Sequence, residues 1–206
     1  ADGWDLESLK KTLYARDWAS IAPAVISRYI GDRTNRRHKP GRAIERVTFE
    51  WEITGDYGTF RDLQRHRMLS AFEWQRLTPH YGYVTPDLVV QAGVEDQYRH
   101  CFEQAEALFA RLVDAGLPQV AQYATLLGHN MRYTFQANLR ELFHMLELRT
   151  QPAGHPGYRR ICQMMYEQLQ RVYPHFAAGM IFMNTTGELT DLTRLEEERR
   201  NQNRPS

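Results

Sequence analysis

Residues 65–77 read Arg65-His66-Arg67-Met68-Leu69-Ser70-Ala71-Phe72-Glu73-Trp74-Gln75-Arg76-Leu77. Two arginines flank a histidine where a helical pattern gives way to a strand-like one. At such a junction, guanidinium forks and free backbone N–H groups can converge on a phosphate or pyrophosphate. On composition alone, a solvated charge run is the plainer account of the triplet. The residues that follow argue against it. In an extended strand Ser70, Phe72, Trp74 and Arg76 share one face, and Ala71, Glu73, Gln75 and Leu77 share the other. Glu73 and Gln75 then sit among apolar neighbours, as they would in a lined pocket.

Working outward from this stretch, a short helix is expected from Thr59 to about His66, after a turn at Gly55-Asp56-Tyr57-Gly58. Before the turn, Val47, Phe49, Trp51 and Ile53 alternate with Thr48, Glu50 and Glu52, a strand with one buried face. Upstream lie a basic Pro/Gly-containing loop, 33–42, and helices over 5–15 and 19–30. Downstream, residues 67–77 form a second strand, and Pro79 and Pro86 mark irregular chain. Residues 95–115 follow a 3.6-residue stripe through Tyr98, Cys101, Phe102, Ala105, Leu108, Phe109 and Leu112, and Gly116 stops that helix. Residues 123–135 are rich in strand formers and give a third strand. Helices follow over 137–149 (Leu139, Leu142, Phe143, Leu146 inward) and 156–172 (Ile161, Cys162, Met165, Leu169, Val172 inward). The tail from Gly187 to Ser206 is expected to fray. The pattern is α+β: one domain over residues 1–206, with a small antiparallel sheet and several long helices.

The helix over 137–149 is the second place where chemistry could sit. Asn138 stands at its start, free to cap or to bind. Arg140 and His144 are four apart and share a face. That face is either a polar outer surface or a ligand-facing one, and composition does not separate the two. His155, in Gln151-Pro152-Ala153-Gly154-His155-Pro156-Gly157, reads more simply as part of a turn. The eight histidines show no metal-ligand spacing, so no metal is expected. No dinucleotide-binding glycine fingerprint, Walker loop or nucleophile elbow is present.

A chain of 206 residues with 42% apolar and 25% charged side chains has the composition of a folded globular domain, which excludes wholesale disorder. No apolar run is long enough for a spanning helix. The start at Ala1 shows no export-signal pattern and reads as a piece of something longer. The net charge of +1 argues against a general nucleic-acid-gripping surface. Of 26 basic residues only Lys10, Lys11 and Lys39 are lysines; the other 23 are arginines, suited to carboxylates and phosphates or set by coding bias. Cys101 and Cys162 lack redox or metal spacing and read as small core residues of a protein in a reducing, cytoplasmic compartment.

Two stretches carry a family resemblance. RHRMLSAFEWQRL resembles the R-H-R-x-x-S-x-N-E-x-S-x-R signature of the flavin-dependent thymidylate synthases, the ThyX family, and NLRELFHMLELR resembles that family's N-A-R-S-L-x-N-F-L-x-L-R helix. The order of elements over residues 20–180 is also similar. The resemblance implies a ThyX-like fold in a homotetramer with FAD held between subunits. NADPH would reduce the flavin, and a one-carbon unit from methylenetetrahydrofolate would pass to dUMP or a related pyrimidine nucleotide. Carried over by position, Arg65, His66 and Arg67 would contact FAD, with Asn138, Arg140 and His144 contacting it from a neighbouring subunit. Glu73 would lie at the flavin and the nucleotide. Gln75, Arg76 and Gln122 would fall at the nucleotide site, and Arg149 would be the catalytic arginine that polarises the uracil ring.

Departures from the family pattern are specific. Phe72 stands for the motif's Asn, Gln75 for its second Ser and Leu77 for its last Arg, with Arg76 one place early. Gln122 takes the position of a nucleotide-binding Arg, His144 that of a flavin-contacting Asn, and Asp62 that of a Gln. Of an upstream H-x-S-x-x-E-H pattern only Glu45 survives, with Arg46 in place of the last His. The arginine losses remove charge-assisted bonds worth roughly 1.5–3 kcal/mol each. Two other readings follow: a non-catalytic or half-competent paralogue serving as scaffold or partner subunit, and, less favoured, an arginine-based anion or nucleic-acid binder.

Overall fold

The computed structural model describes residues 5, 7, 8, 10, 11, 18–185 and 191–202. Its sheet has strands β1 (Thr48–Asp56), β2 (Ser70–Trp74) and β3 (Asn130–Asn138), all antiparallel, in the order β1-β3-β2. The helices are α1 (Trp18–Ile30), α2 (Tyr57–Leu63), α3 (Asp87–Gln91), α4 (Glu95–Asp114), α5 (Pro118–Ala121), α6 (Leu139–Arg149), α7 (Pro156–Val172), α8 (Pro174–Ala177) and α9 (Asp191–Gln202). The α+β class, the small antiparallel sheet and the long helices read from the sequence are all present.

The centre of the sheet goes to the strand with the cleanest alternation. Met131, Tyr133, Phe135 and Ala137 of β3 are buried, while their neighbours are half-buried. β1 pairs with β3 along its whole length, from Thr48 opposite Asn138 to Asp56 opposite Asn130. Helix α6 leaves directly from the end of β3 and buries Leu139, Leu142, Phe143, Met145 and Leu146 against Leu63, Cys162, Met165 and Leu169. Gly157 lets α7 approach α2 closely, since a Cβ there would lie 2.6 Å from Thr59 Oγ1.

Several boundaries differ from the sequence-based expectation. No separate turn stands at Gly55–Gly58. β1 runs through Asp56, whose carboxylate accepts from the Thr59 N–H at 2.7 Å and so starts α2 at Tyr57. α2 ends at Leu63, and His66 lies beyond it in a turn closed by Leu69 N–H donating to the His66 carbonyl at 3.2 Å. The second strand shrinks to five residues. Ala71 adopts φ +45°, and a bulge separates the pairing of Ser70 with Gln136 from that of Glu73 with Thr134. The bulge breaks the strict alternation: Phe72 stacks on Tyr133 and Phe135, while Glu73 and Gln75 are exposed rather than set into an apolar pocket.

The third strand starts at Asn130, not at 123. Residues 122–124 form a 3-10 turn in which the Thr125 hydroxyl bonds back to the Gln122 carbonyl at 2.7 Å, overriding the strand propensity of Tyr123, Thr125 and Leu126. α4 has the predicted length, and Gly116 ends it with φ +76°. Only Phe102 and Ala105 of its stripe are buried; Leu108 and Cys101 are exposed, so Cys101 is not a core residue. The helix meets the body through aromatic contacts along one edge: Phe102 stacks on Tyr83 with 3.8 Å between centroids, Tyr98 meets Tyr83 at 5.9 Å and Phe109 meets His80 at 5.7 Å. Cys162 is fully buried, and burial pushes its thiol up to about 12. Val172, at the end of α7, is exposed. Within the expected tail, Asp191–Gln202 is helical; the rest of that tail, and most of the helix expected over 5–15, lie outside the described residues.

Candidate functional site

The two stretches that carried the resemblance meet within one chain. Asn138 closes β3 and caps α6, its side-chain oxygen accepting from the Glu141 N–H at 2.9 Å. The cap sets Glu141 in the first turn of α6, opposite the turn that carries His66. Both side chains are buried, and His66 Nδ1 lies 3.0 Å from Glu141 Oε1. On the other side of the ring, Arg149 Nε donates to His66 Nε2 at 2.8 Å. An arginine N–H can only donate, so Nε2 carries the lone pair and the proton sits on Nδ1, facing the carboxylate. A neutral imidazole thus links the Arg149 cation to the Glu141 anion. Arg149 also donates from Nη2 to the Asp62 carbonyl at 2.9 Å and lies over the Tyr158 ring at 5.1 Å. Its direction is fixed before any ligand arrives.

The face shared by Arg140 and His144 is not open solvent surface. The chain between α1 and β1 covers it. Arg140 donates from Nε to the Pro40 carbonyl at 3.0 Å and pairs with Glu45 at 3.3 Å. Lys39 Nζ donates to His144 Nδ1 at 2.7 Å, and the His144 ring meets His66 edge-on at 5.9 Å. Burial, and next the Lys39 cation, hold His144 below its ordinary pKa; burial likewise lowers Lys39.

Other sequence-predicted residues fall elsewhere. Arg65 and Arg67 are exposed on the turn, and Arg65 makes a loose 3.7 Å contact with Asp62. Glu73 is exposed; Gln75 accepts from the Tyr81 hydroxyl. Gln122 accepts from the Leu77 N–H at 3.2 Å and, with Tyr57, Leu77, Gln119 and Tyr123, lines an open cleft of about 540 Å³. Arg76 reaches the Gln119 amide, whose oxygen accepts from both terminal nitrogens at 2.8 and 3.1 Å when the amide is oriented by its bonding. His66, Asn138, Arg140, His144 and Arg149 form a corner; Gln122 belongs to the cleft, which none of those five lines. His155 caps α7, its Nδ1 accepting from the Gly157 N–H at 3.1 Å, as a turn residue would.

Sequence reading missed Glu141, Arg33 and Glu147. Arg33 and Glu147 form a buried two-pronged ion pair at 2.7 and 2.5 Å, with the guanidinium 5.2 Å from the rings of Phe143 and Phe182. The available signal was helical period: Glu147 follows Phe143 by four and Leu146 by one, inside the apolar stripe.

With this geometry in view, comparison with known proteins identifies the family. The model of the thymidylate synthase complementing protein family matches residues 9–175. The chain belongs to that family. Among this family's curated relatives, a UPF0159 protein of Chlamydia muridarum is 39% identical over 168 residues, covering 82% of the chain but 31% of the relative. A UPF0159 protein of Thermoplasma acidophilum is 35% identical over 167 residues, 81% of the chain and 33% of the relative. The thymidylate synthase complementing domain described here therefore spans about a third of the length of these relatives. Its fold is shared with the UMP/dUMP methylase PolB from Streptomyces cacaoi, solved with 5-Br dUMP: TM-score 0.62, 19% identity, covering 85% of this chain and 86% of that one. No helix among the described residues is long and apolar enough to cross a membrane.

Proposed function

We propose that this domain binds a flavin and a pyrimidine nucleotide such as dUMP, and serves methyl transfer to the pyrimidine ring in the cytoplasm as part of an oligomer. The observation that carries this reading is the held direction of Arg149, tied through His66 to Glu141 where the Arg65-His66-Arg67 turn meets the start of α6. Family membership and the fold shared with PolB support it.

The residues present fit a flavin in part. Arg65 and Arg67 are exposed guanidiniums on one turn, available to a pyrophosphate. His66 is not available as a direct contact, because both ring nitrogens are taken. Asn138 and Arg140 are held by their own chain. Flavin, when bound, supplies the electron transfer between NADPH and the one-carbon unit drawn from methylenetetrahydrofolate. The chain's own part is to bind and to orient. Arg149, already positioned and cationic, polarises a ring carbonyl of the pyrimidine and favours the electron-rich form that accepts carbon at position 5.

A second reading has its own support. Asn138 and Arg140 serve the chain's own structure, and the phosphate-binding arginines of the family pattern are Leu77 and Gln122 here. These features suit a scaffold domain of a longer protein. Titrating FAD into the purified chain, followed by its absorbance bands, separates the two. Saturable binding that drops about tenfold or more in an Arg65→Ala/Arg67→Ala double variant is the expected result. No binding by the parent chain favours the scaffold.

A further inference from the structure

The loop between α1 and β1 carries Arg33, Arg36, Arg37, His38 and Lys39 within seven positions. Arg33 is the scaffold of this loop. From its buried pair with Glu147 it donates to the carbonyl of His38 at 2.7 Å, of Arg36 at 3.5 Å and of Gly179 at 3.1 Å. The Asn35 side chain and carbonyl close the turn by accepting from the N–H groups of Arg37 and His38 at 2.8 and 2.9 Å. The backbone that carries Arg36 and Lys39 is therefore fixed in advance.

The charges on this loop are unequally matched. Arg33 has Glu147, and Arg42 and Arg140 share Glu45. Among the described residues, Arg36, Arg37 and Lys39 have no carboxylate within ion-pair distance. Arg37 is exposed. Arg36 and Lys39 are half-buried, and among the described residues the one hydrogen-bonding partner of the Lys39 ammonium is the uncharged lone pair on His144 Nδ1. A desolvated ammonium without an anion is costly. Both nearby carboxylates are committed, Glu147 to Arg33 and Glu141 to His66. Burial is the first cause of the lowered Lys39 pKa; the fields of Glu147 and Glu141 oppose it and those of Arg33 and Arg36 add to it, while the half-buried ammonium keeps N–H donors available to an anion.

We propose that Arg36, Lys39 and His144 form a phosphate-binding site beside His66, which takes the phosphate group of a nucleotide-class ligand. The inference rests on the nucleotide-binding reading above but assigns a grip outside Arg65 and Arg67. On binding, Lys39 turns its spare N–H donors to the phosphate oxygens, and Arg36 supplies a planar fork. The ligand's phosphate is either the monoester of a nucleotide or the pyrophosphate of a dinucleotide.

Calorimetric titrations of the chain with inorganic pyrophosphate, dUMP, FAD and phosphate-free deoxyuridine test this. An Arg36→Ala/Lys39→Ala double variant is compared with the parent, and a milder Arg36→Gln/Lys39→Gln pair guards against misfolding, checked by circular dichroism. The expected result is pyrophosphate binding by the parent that weakens with added salt and falls about tenfold or more in both variants, with any deoxyuridine binding unchanged. A matching loss for dUMP assigns the monoester to the site; a loss for FAD alone assigns the pyrophosphate. If pyrophosphate binds as expected while dUMP and FAD do not bind at all, the anion site stands and the nucleotide reading fails. If the variants bind every phosphate as the parent does, or the parent binds no phosphate, the proposed site is overturned.

Discussion

Arg149 is held by three different groups: an imidazole nitrogen, a carbonyl and an aromatic face. Each constrains a different part of the guanidinium, so the side chain is ordered at its tip and not only at its stem. His66 relays this order to Glu141, and removing the carboxylate would leave a buried N–H without a partner. Glu141→Ala is therefore expected to cost about 1–3 kcal/mol of stability, read as a lower midpoint in urea unfolding. An unchanged midpoint would mean that water or another group replaces the carboxylate. At this scale the sequence was only partly informative. His66 and Arg149 stand in recognisable motifs, and Asn138 could be read as a cap. Glu141 and Lys39 could not be found, because their partners lie 75 and 105 positions away and a lone charged residue gives no sign of a distant contact.

Among the elements, β2 shows how a local irregularity redirects a motif. Ala71 at φ +45° lies in the left-handed region that glycine occupies without penalty. Ala71→Gly is expected to raise stability by about 1 kcal/mol relative to the parent, measured by thermal or urea unfolding. A loss instead would show that the greater freedom of glycine in the unfolded chain outweighs the relieved strain. The bulge was not legible, since no glycine marks it and the alternating pattern of residues 70–77 reads as a regular strand. The helices with long apolar stripes were legible, as were β1 and the Asn138 start of α6. The third strand was misplaced because Tyr123, Thr125 and Leu126 have the side chains of a strand and the hydrogen bonds of a turn. The α4 stripe misled about burial: amphipathicity reports which face can be buried, not how much of it finds a partner.

For the molecule as a whole, buried His129 and half-buried His144 couple stability to pH. Burial lowers the pKa of His129, which sits among Tyr83 and Phe102, and that of His144. Unfolded, each takes up a proton near pH 6.5, before its folded form does. Their contribution is therefore complete above about pH 6.5 and declines as the pH falls through that value toward the lower folded pKa values. The melting temperature is expected to be lower at about pH 5.5 than at about pH 7.5, and substituting His129 by Gln should reduce the difference. A melting temperature that rises on acidification would contradict the assignment. The fold sets the start of α6 against the turn carrying His66 and so assembles the corner around Arg149.

The corner's role in ligand binding is tested most directly by calorimetric titration of dUMP into the chain supplied with FAD, parent against Arg149→Ala. The account predicts saturable binding by the parent and an affinity about tenfold or more weaker in the variant, with FAD content unchanged. Equal dUMP affinity in the two proteins, or no dUMP binding by the parent, would contradict it.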